Sequence, residues 1–255
     1  TEGHHAFGIL RSGSTNNTLT VWPATAAAFG LLDPERADRT LARLAGDAIS
    51  TDWGARMVSA HSPLYDPTHY NMGAVWPFVT GFVAWGQYRY RRPWSGYPLI
   101  DALKQMTFDW ARGRHPELLS GAFYRPLDTA VPQQFFATSM LASPVLYGLL
   151  GGVPDAPGSR ARVAPQVPPS WGRLSATGLR VGRSMLALEI ERRDGGAGVT
   201  LSAAGPPMEL EWVQSIPLGA RNPRAAADGS LVQLRLEPGR GDQRGVVRVS
   251  VTSQP

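Results

Sequence analysis

A chain of 255 residues with 43% hydrophobic content is long enough for one large domain or two ordinary ones, each with a packed core. Its formal net charge is +5, but the 25 basic residues, arginines apart from Lys104, are spread along the chain, so the charge reads as an arginine-favouring composition and no nucleic-acid partner is expected. The absence of cysteine excludes disulfides, thiol catalysis and cysteine metal sites while leaving the compartment open, and no apolar run approaches the roughly 20 residues that cross a bilayer, so no membrane partner is expected either.

In chain order, a short helix is predicted at about residues 22–30. The stretch "DPERADRTLARLAGDAI" follows as a clear helix: Asp33 is the N-cap, Pro34 takes the first helical position, and Ala37, Leu41, Leu44, Ala45 and Ala48 share one face. A second long helix is predicted from Trp76 to Arg91. Pro77 falls in its first turn, where a missing N–H costs nothing, and Phe78, Val79, Phe82, Val83 and Trp85 make a broad apolar surface. A third, "PLIDALKQMTFDWARG", is expected to start at Pro98 and stop at Gly113. A fourth, "QQFFATSMLASPVLYGLLG", carries Pro144 inside it and is expected to kink or break there.

Near residue 152 the hydrophobic period changes from helical to two. "SMLALEIERR" alternates Leu186, Leu188 and Ile190, and "GVVRVSVTS" alternates Val247, Val249 and Val251, with "MELEWVQ" and "SLVQLRLEP" similar. The expected organisation is an all-α part over 1–152, a Pro-rich connector from "GGVPDAPGS", and a β-sandwich domain over 153–255.

The unusual side chains lie between the helices. "SPLYDPTHYNMGAVWPF" (62–78) packs aromatics, a histidine and an asparagine into a turn-rich segment, more than the start of a helix needs. No G-x-S-x-G elbow, phosphate loop or GxGxxG is present. His61, His69 and His115 do not share the i, i+4 spacing of a zinc helix, so no metal or cofactor is expected. What remains is carboxylates, aromatics and arginines, the groups a carbohydrate site uses: an acid/base pair for the bond and rings for the sugar faces. Glu117, after Pro116 and flanked by Arg114 and His115, reads either as an exposed loop glutamate or as a reactive carboxylate. Asp52 in "TDWGAR" reads either as a turn or ion-pair residue with Thr51 and Arg56 or as a site residue. Trp53, Tyr65, Tyr70, Trp76 and Tyr124 fit a core singly, and their concentration in connecting segments points to a binding wall.

Three blocks in order, "TDWGARMVSAHSPLYDPTHYNMGAVWPFVTGFVAWGQYRYRR", "HPELLSGAFYRPLDTAVPQQFFATSM" and "LLGGVPDAP", resemble the C-terminal part of glycogen-debranching, amylo-α-1,6-glucosidase-like glycoside hydrolases. The resemblance covers about residues 22–155 and implies a partial (α/α)6 toroid (six-hairpin glycosidase-like), followed by an accessory β-sandwich. It implies inverting hydrolysis of α-glucosidic bonds in an α-glucan or oligosaccharide, with Glu117 as general base. Asp52, Trp53, Arg56, Tyr65, His69, Asn71 and Trp76 would line the sugar subsite, with Gln134 added from "VPQQFF". A complete toroid needs more helices than the five visible here, and the family's general acid lies on an earlier loop, so the missing part is expected upstream of Thr1. Two alternatives stay open: an α-L-rhamnosidase-like toroid hydrolase, and a carbohydrate-binding module without catalysis.

Overall fold

The structure is a computed structural model that describes residues 3–193, 195–217, 221, 224, 226–227, 230–231, 237–238 and 243–252. The chain divides into two compact units, Thr1–Gly148 and Leu149–Pro255.

The first unit opens with a short antiparallel pair, β1 (Gly8–Ile9) and β2 (Thr15–Asn16). There follow α1 (Pro23–Ala28), α2 (Pro34–Ala45), the hairpin β3 (Ser50–Thr51) and β4 (Gly54–Ala55), α3 (Pro77–Arg89), α4 (Pro93–Asp109) and α5 (Phe135–Ser143). Beyond α5 the chain winds as a π-helical turn, Pro144–Leu149, at the proline expected to break it. Helix α2 starts as its sequence dictates. The Asp33 carboxylate accepts the backbone N–H groups of Glu35 and Arg36 at 3.1 and 3.2 Å, a cap worth about 1 kcal/mol. Its buried face is Ala37, Thr40, Leu41 and Leu44.

Helix α3 is apolar around most of its circumference, and it takes the central place: α1, α4 and α5 all pack against it. Its one buried amide, Gln87, is satisfied on both ends, donating to the Leu41 carbonyl of α2 at 2.8 Å and accepting from Arg92 Nε at 3.1 Å. Helix α4 begins at Pro93, not at the expected Pro98, which lies inside it. Pro93 supplies the first helical position, and the carbonyl that Pro98 cannot serve is that of Trp94, a residue 65% exposed where solvent can replace the lost donor. The helix also stops at Asp109, four residues short of Gly113.

The expected partial (α/α)6 toroid is overturned. Among the described residues there are five α-helices, and three of them gather around a central fourth instead of alternating in a ring. The long segments between α2 and α3 and between α4 and α5 do not form helical hairpins. Instead they run through turns, each folding on itself at one antiparallel bridge, Arg56–Val75 and Leu119–Pro126, and joining the other at Val75–Leu119. The reason is in the sequence: these segments carry Gly, Pro and turn-forming Asp and Ser, and lack helical periodicity.

The second unit is a β domain. Its strands are β5 (Val153–Asp155), β6 (Arg160–Val163), β7 (Arg173–Val181), β8 (Ser184–Arg193), β9 (Gly196–Ala204), β10 (Glu209–Pro217), β11 (Ala226–Ala227), β12 (Ser230–Leu231), β13 (Glu237–Pro238) and β14 (Gln243–Thr252). One sheet has the order β13-β14-β10-β6-β5, with β6 and β10 parallel; another is the antiparallel meander β7-β8-β9. Ala161 and Leu210 of the first and Val181 and Leu186 of the second share one buried cluster with Met208. Leu186, Leu188 and Ile190 are buried in alternation along β8. Of "SLVQLRLEP", residues 232–236 lie outside the described residues.

Candidate active site

The extended segment 115–121 forms the floor of the candidate site, and its residues from His115 to Gly121 are all buried. Backbone bonds hold it on both sides. Leu119 and Val75 exchange N–H···O bonds of 2.8 and 2.9 Å, while Glu117 N–H reaches the Val131 carbonyl at 3.0 Å. At its start, His115 is fully buried with its ring nitrogens on Thr107 Oγ1 at 3.0 Å and the Ala137 carbonyl at 3.3 Å. Burial lowers the pKa of that imidazole, so it serves as a neutral strut. At its end, Gly121 passes so close to the loop 65–74 that a Cβ there would lie 2.1 Å from the Gly73 carbonyl oxygen, and a Cβ on Gly73 would lie 2.4 Å from that of Asp66. Both glycines are required by close approach of two backbones.

Glu117 is 8% exposed, and its carboxylate is held from three directions. Oε1 accepts the Tyr70 hydroxyl and, at 2.9 Å, Gln134 Nε2; Oε2 accepts the Val131 N–H at a longer 3.3 Å. All three partners donate, and the two carboxylate oxygens accept them. Oε2 retains room for one further donor. The hydrogen bond to Glu117 is the main cause that pushes the Tyr70 phenol up to about 12, followed by burial and the carboxylate charge, so Tyr70 stays a donor at any ordinary pH. Its ring is fixed edge-on against Trp76, with centroids 4.6 Å apart, and Trp76 Nε1 donates to the Tyr70 carbonyl at 2.9 Å.

The other residues predicted for the site divide into three groups. Trp53 lies beside the floor: its indole donates to the Ser120 carbonyl at 3.0 Å, and its ring packs on the core of Val75, Met106 and Leu119. Arg56 acts as a strap. Its Nε donates to the Gly121 carbonyl at 2.7 Å and one terminal nitrogen to the Asp47 carbonyl at 2.6 Å, with the guanidinium 5.9 Å from the centre of the Tyr65 ring. Asp52, His69 and Asn71 are exposed. Asp52 sits at the tip of the β3–β4 hairpin, whose turn is bonded by Thr51 Oγ1, while Arg56 Nε and Nη1 go to carbonyls, and His69 Nδ1 accepts the Asn71 N–H at 3.2 Å within its own turn. Glu117, Gln134 and Trp76 are thus brought together through Tyr70, which the sequence reading counted among the aromatics of a binding wall but not among the named subsite residues. The only local signal lies just before it, the Asx turn in which Asp66 Oδ1 accepts the Thr68 N–H at 2.9 Å. Among the described residues no group of three His, Cys, Asp or Glu side chains is arranged to hold a metal ion.

No protein-family model and no curated protein matches the chain. Among solved structures it is similar to one named "Sialidase", at 14% sequence identity and a TM-score of 0.59, over 75% of this chain and 20% of that one. It is also aligned with an uncharacterized conserved protein from Thermus thermophilus, at 21% identity and a TM-score of 0.40, over 52% of this chain and 31% of that one. The chain therefore spans about a fifth of the length of that structure, and what the two share is the fold of the aligned part.

Proposed function

We propose that the chain takes part in hydrolysis of a glycosidic bond in an oligosaccharide or polysaccharide, with Glu117 as general base of an inverting reaction. The observation that carries this reading is a nearly buried carboxylate with one oxygen saturated by Tyr70 and Gln134 and the other left with a single long bond. In this reading a water molecule donates to Oε2 and attacks the anomeric carbon. Its proton passes to Glu117 as the new C–O bond forms, and the old bond breaks toward a departing oxygen that takes a proton from a general acid. The chain supplies the base, and the acid is assigned to none of its residues. Tyr70 and Gln134 position the carboxylate and hold its charge on the floor. The fold likeness to a sialidase supports a glycosidase reading, and Trp76 against Tyr70 and Trp53 on Ser120 supply aromatic rings beside the floor that a sugar face could use.

The test is Glu117→Gln, which keeps the shape and removes the basic lone pair. Turnover is expected to fall by about 10²–10⁴-fold with oligosaccharide affinity nearly unchanged, since a base acts in the transition state. Turnover within twofold of the parent removes Glu117 from the mechanism.

A further inference from the structure

Beside the floor, three aromatic rings from separate segments meet at the surface. Trp110 follows the last turn of α4, Tyr124 lies in the loop after the floor, and Trp53 sits at the β3–β4 turn. The Trp110 and Tyr124 ring centres are 4.8 Å apart, and those of Tyr124 and Trp53 6.2 Å. Two of the three are anchored by hydrogen bonds. Tyr124 donates its hydroxyl to Asp109 Oδ2 at 2.5 Å, the other oxygen of that carboxylate accepts Gln105 Nε2 at 2.8 Å, and Trp53 is pinned by its bond to Ser120. Burial first, and then the hydrogen bond to Asp109, raise the pKa of the Tyr124 phenol, so this anchor also stays protonated.

Folding alone does not ask for this arrangement. Trp110 is 41% exposed, Tyr124 39% and neighbouring Phe123 72%, although a large ring stabilises a fold mostly by being buried. The rim is polar: Asp109, Gln105 and, beyond Trp53, the unburied Asp52. Apolar ring faces with carboxylates and amides at their edges match a sugar, whose C–H faces are apolar and whose hydroxyls point outward to donate. The platform is also continuous with the site. Ser120, which holds Trp53, is three residues along the floor from Glu117, about 10 Å at the rise of an extended chain and on the scale of a disaccharide.

We propose that Trp110, Tyr124 and Trp53 form a second sugar-binding platform, which holds the stretch of the oligosaccharide next to the bond attacked at Glu117. This rests on the reading of Glu117 as the base of a glycoside-hydrolysing reaction. Long saccharides lie across both places, short ones only on the floor.

The experiment titrates the chain with maltoheptaose, cellohexaose, mannohexaose and xylohexaose, reading tryptophan fluorescence and heat. The parent is expected to bind at least one of them, and Trp110→Ala to weaken that binding about tenfold, the loss of one stacking ring. Tyr124→Phe, which keeps the ring and frees it from Asp109, is expected to weaken binding less, and it guards against a folding defect in the alanine variant. The corresponding disaccharide is expected to bind parent and Trp110→Ala alike. No binding of any of the four by the parent, unchanged affinity in Trp110→Ala, or an apparent loss traced to self-association through this patch each overturn the platform. A separate hydrolysis assay of Glu117→Gln keeps the two readings apart: normal turnover in that variant sinks the base while leaving the platform to the binding data, whereas lost turnover in Glu117→Gln together with unchanged affinity in Trp110→Ala sinks the platform alone.

Discussion

Tyr70 donates its hydroxyl to the Glu117 oxygen that also accepts Gln134, so a residue from the loop before α3 and one from the segment before α5 close on the same atom. Tyr70→Phe removes one of these donors and keeps the ring against Trp76. Turnover is expected to fall about tenfold with KM unchanged, the loss of one charge-assisted hydrogen bond. Ultraviolet titration supplies a second readout. The Tyr70 phenol should ionise near pH 12 in the parent and drop toward its ordinary value of 10 in Glu117→Gln. Because the folded pKa is the raised one, the stabilising contribution of this bond is complete below about pH 10 and is lost as pH rises through 12.

Arg56→Lys should act on stability and not on sugar binding. The guanidinium reaches two carbonyls in different directions, Asp47 and Gly121, and an ammonium on a flexible stem cannot hold both in that geometry. Thermal unfolding is expected to show a loss of about 1–3 kcal/mol with oligosaccharide affinity intact. A drop in affinity at unchanged melting temperature would return Arg56 to the subsite.

Gly121→Ala places a methyl group 2.1 Å from the Gly73 carbonyl oxygen, so the floor and the loop carrying Tyr70 must separate. Overpacking of this kind costs about 1–3 kcal/mol, and turnover should fall with it because the Tyr70–Glu117 bond spans the same gap. Unaltered melting and turnover would contradict the close approach of the two backbones.

His115 sets an acid limit. Its pKa is lowered by burial, so the unfolded chain binds the proton more tightly, and stability is full above the ordinary imidazole value of about 6.5 and declines as pH falls through the depressed folded value. Melting temperature plotted against pH should fall below 6.5 in the parent and fall less steeply in His115→Asn.

How far the sequence led differs from element to element, and the difference is physical. Asp33, Pro34 and the Ala37–Leu41–Leu44 stripe define α2 within a few residues, because a cap and a helical face are local signals. The start of α4 was expected at Pro98 and lies at Pro93, because a proline inside a helix is tolerated where the carbonyl it leaves unserved, here that of Trp94, is exposed. Glu117 was legible as a carboxylate worth attention, whereas the task of Arg56 was not, since one of its carbonyl partners is 65 residues away. The ring architecture failed for a similar reason: nothing local says whether a segment between helices turns back as a helix or joins a ladder with another segment far along the chain.

That ladder divides the site into a part held by backbone bonds and a part held by side chains. Val75 and Leu119 lock each other through two reciprocal bonds, so the backbone under Glu117 is a fixed rail. Tyr70 and Gln134 reach it only through side chains from the flanking loops, with Tyr70 39% exposed. The carboxylate is thus held twice over, by a rail that sets where its backbone lies and by two side chains that set where its Oε1 points, and either can be altered without touching the other.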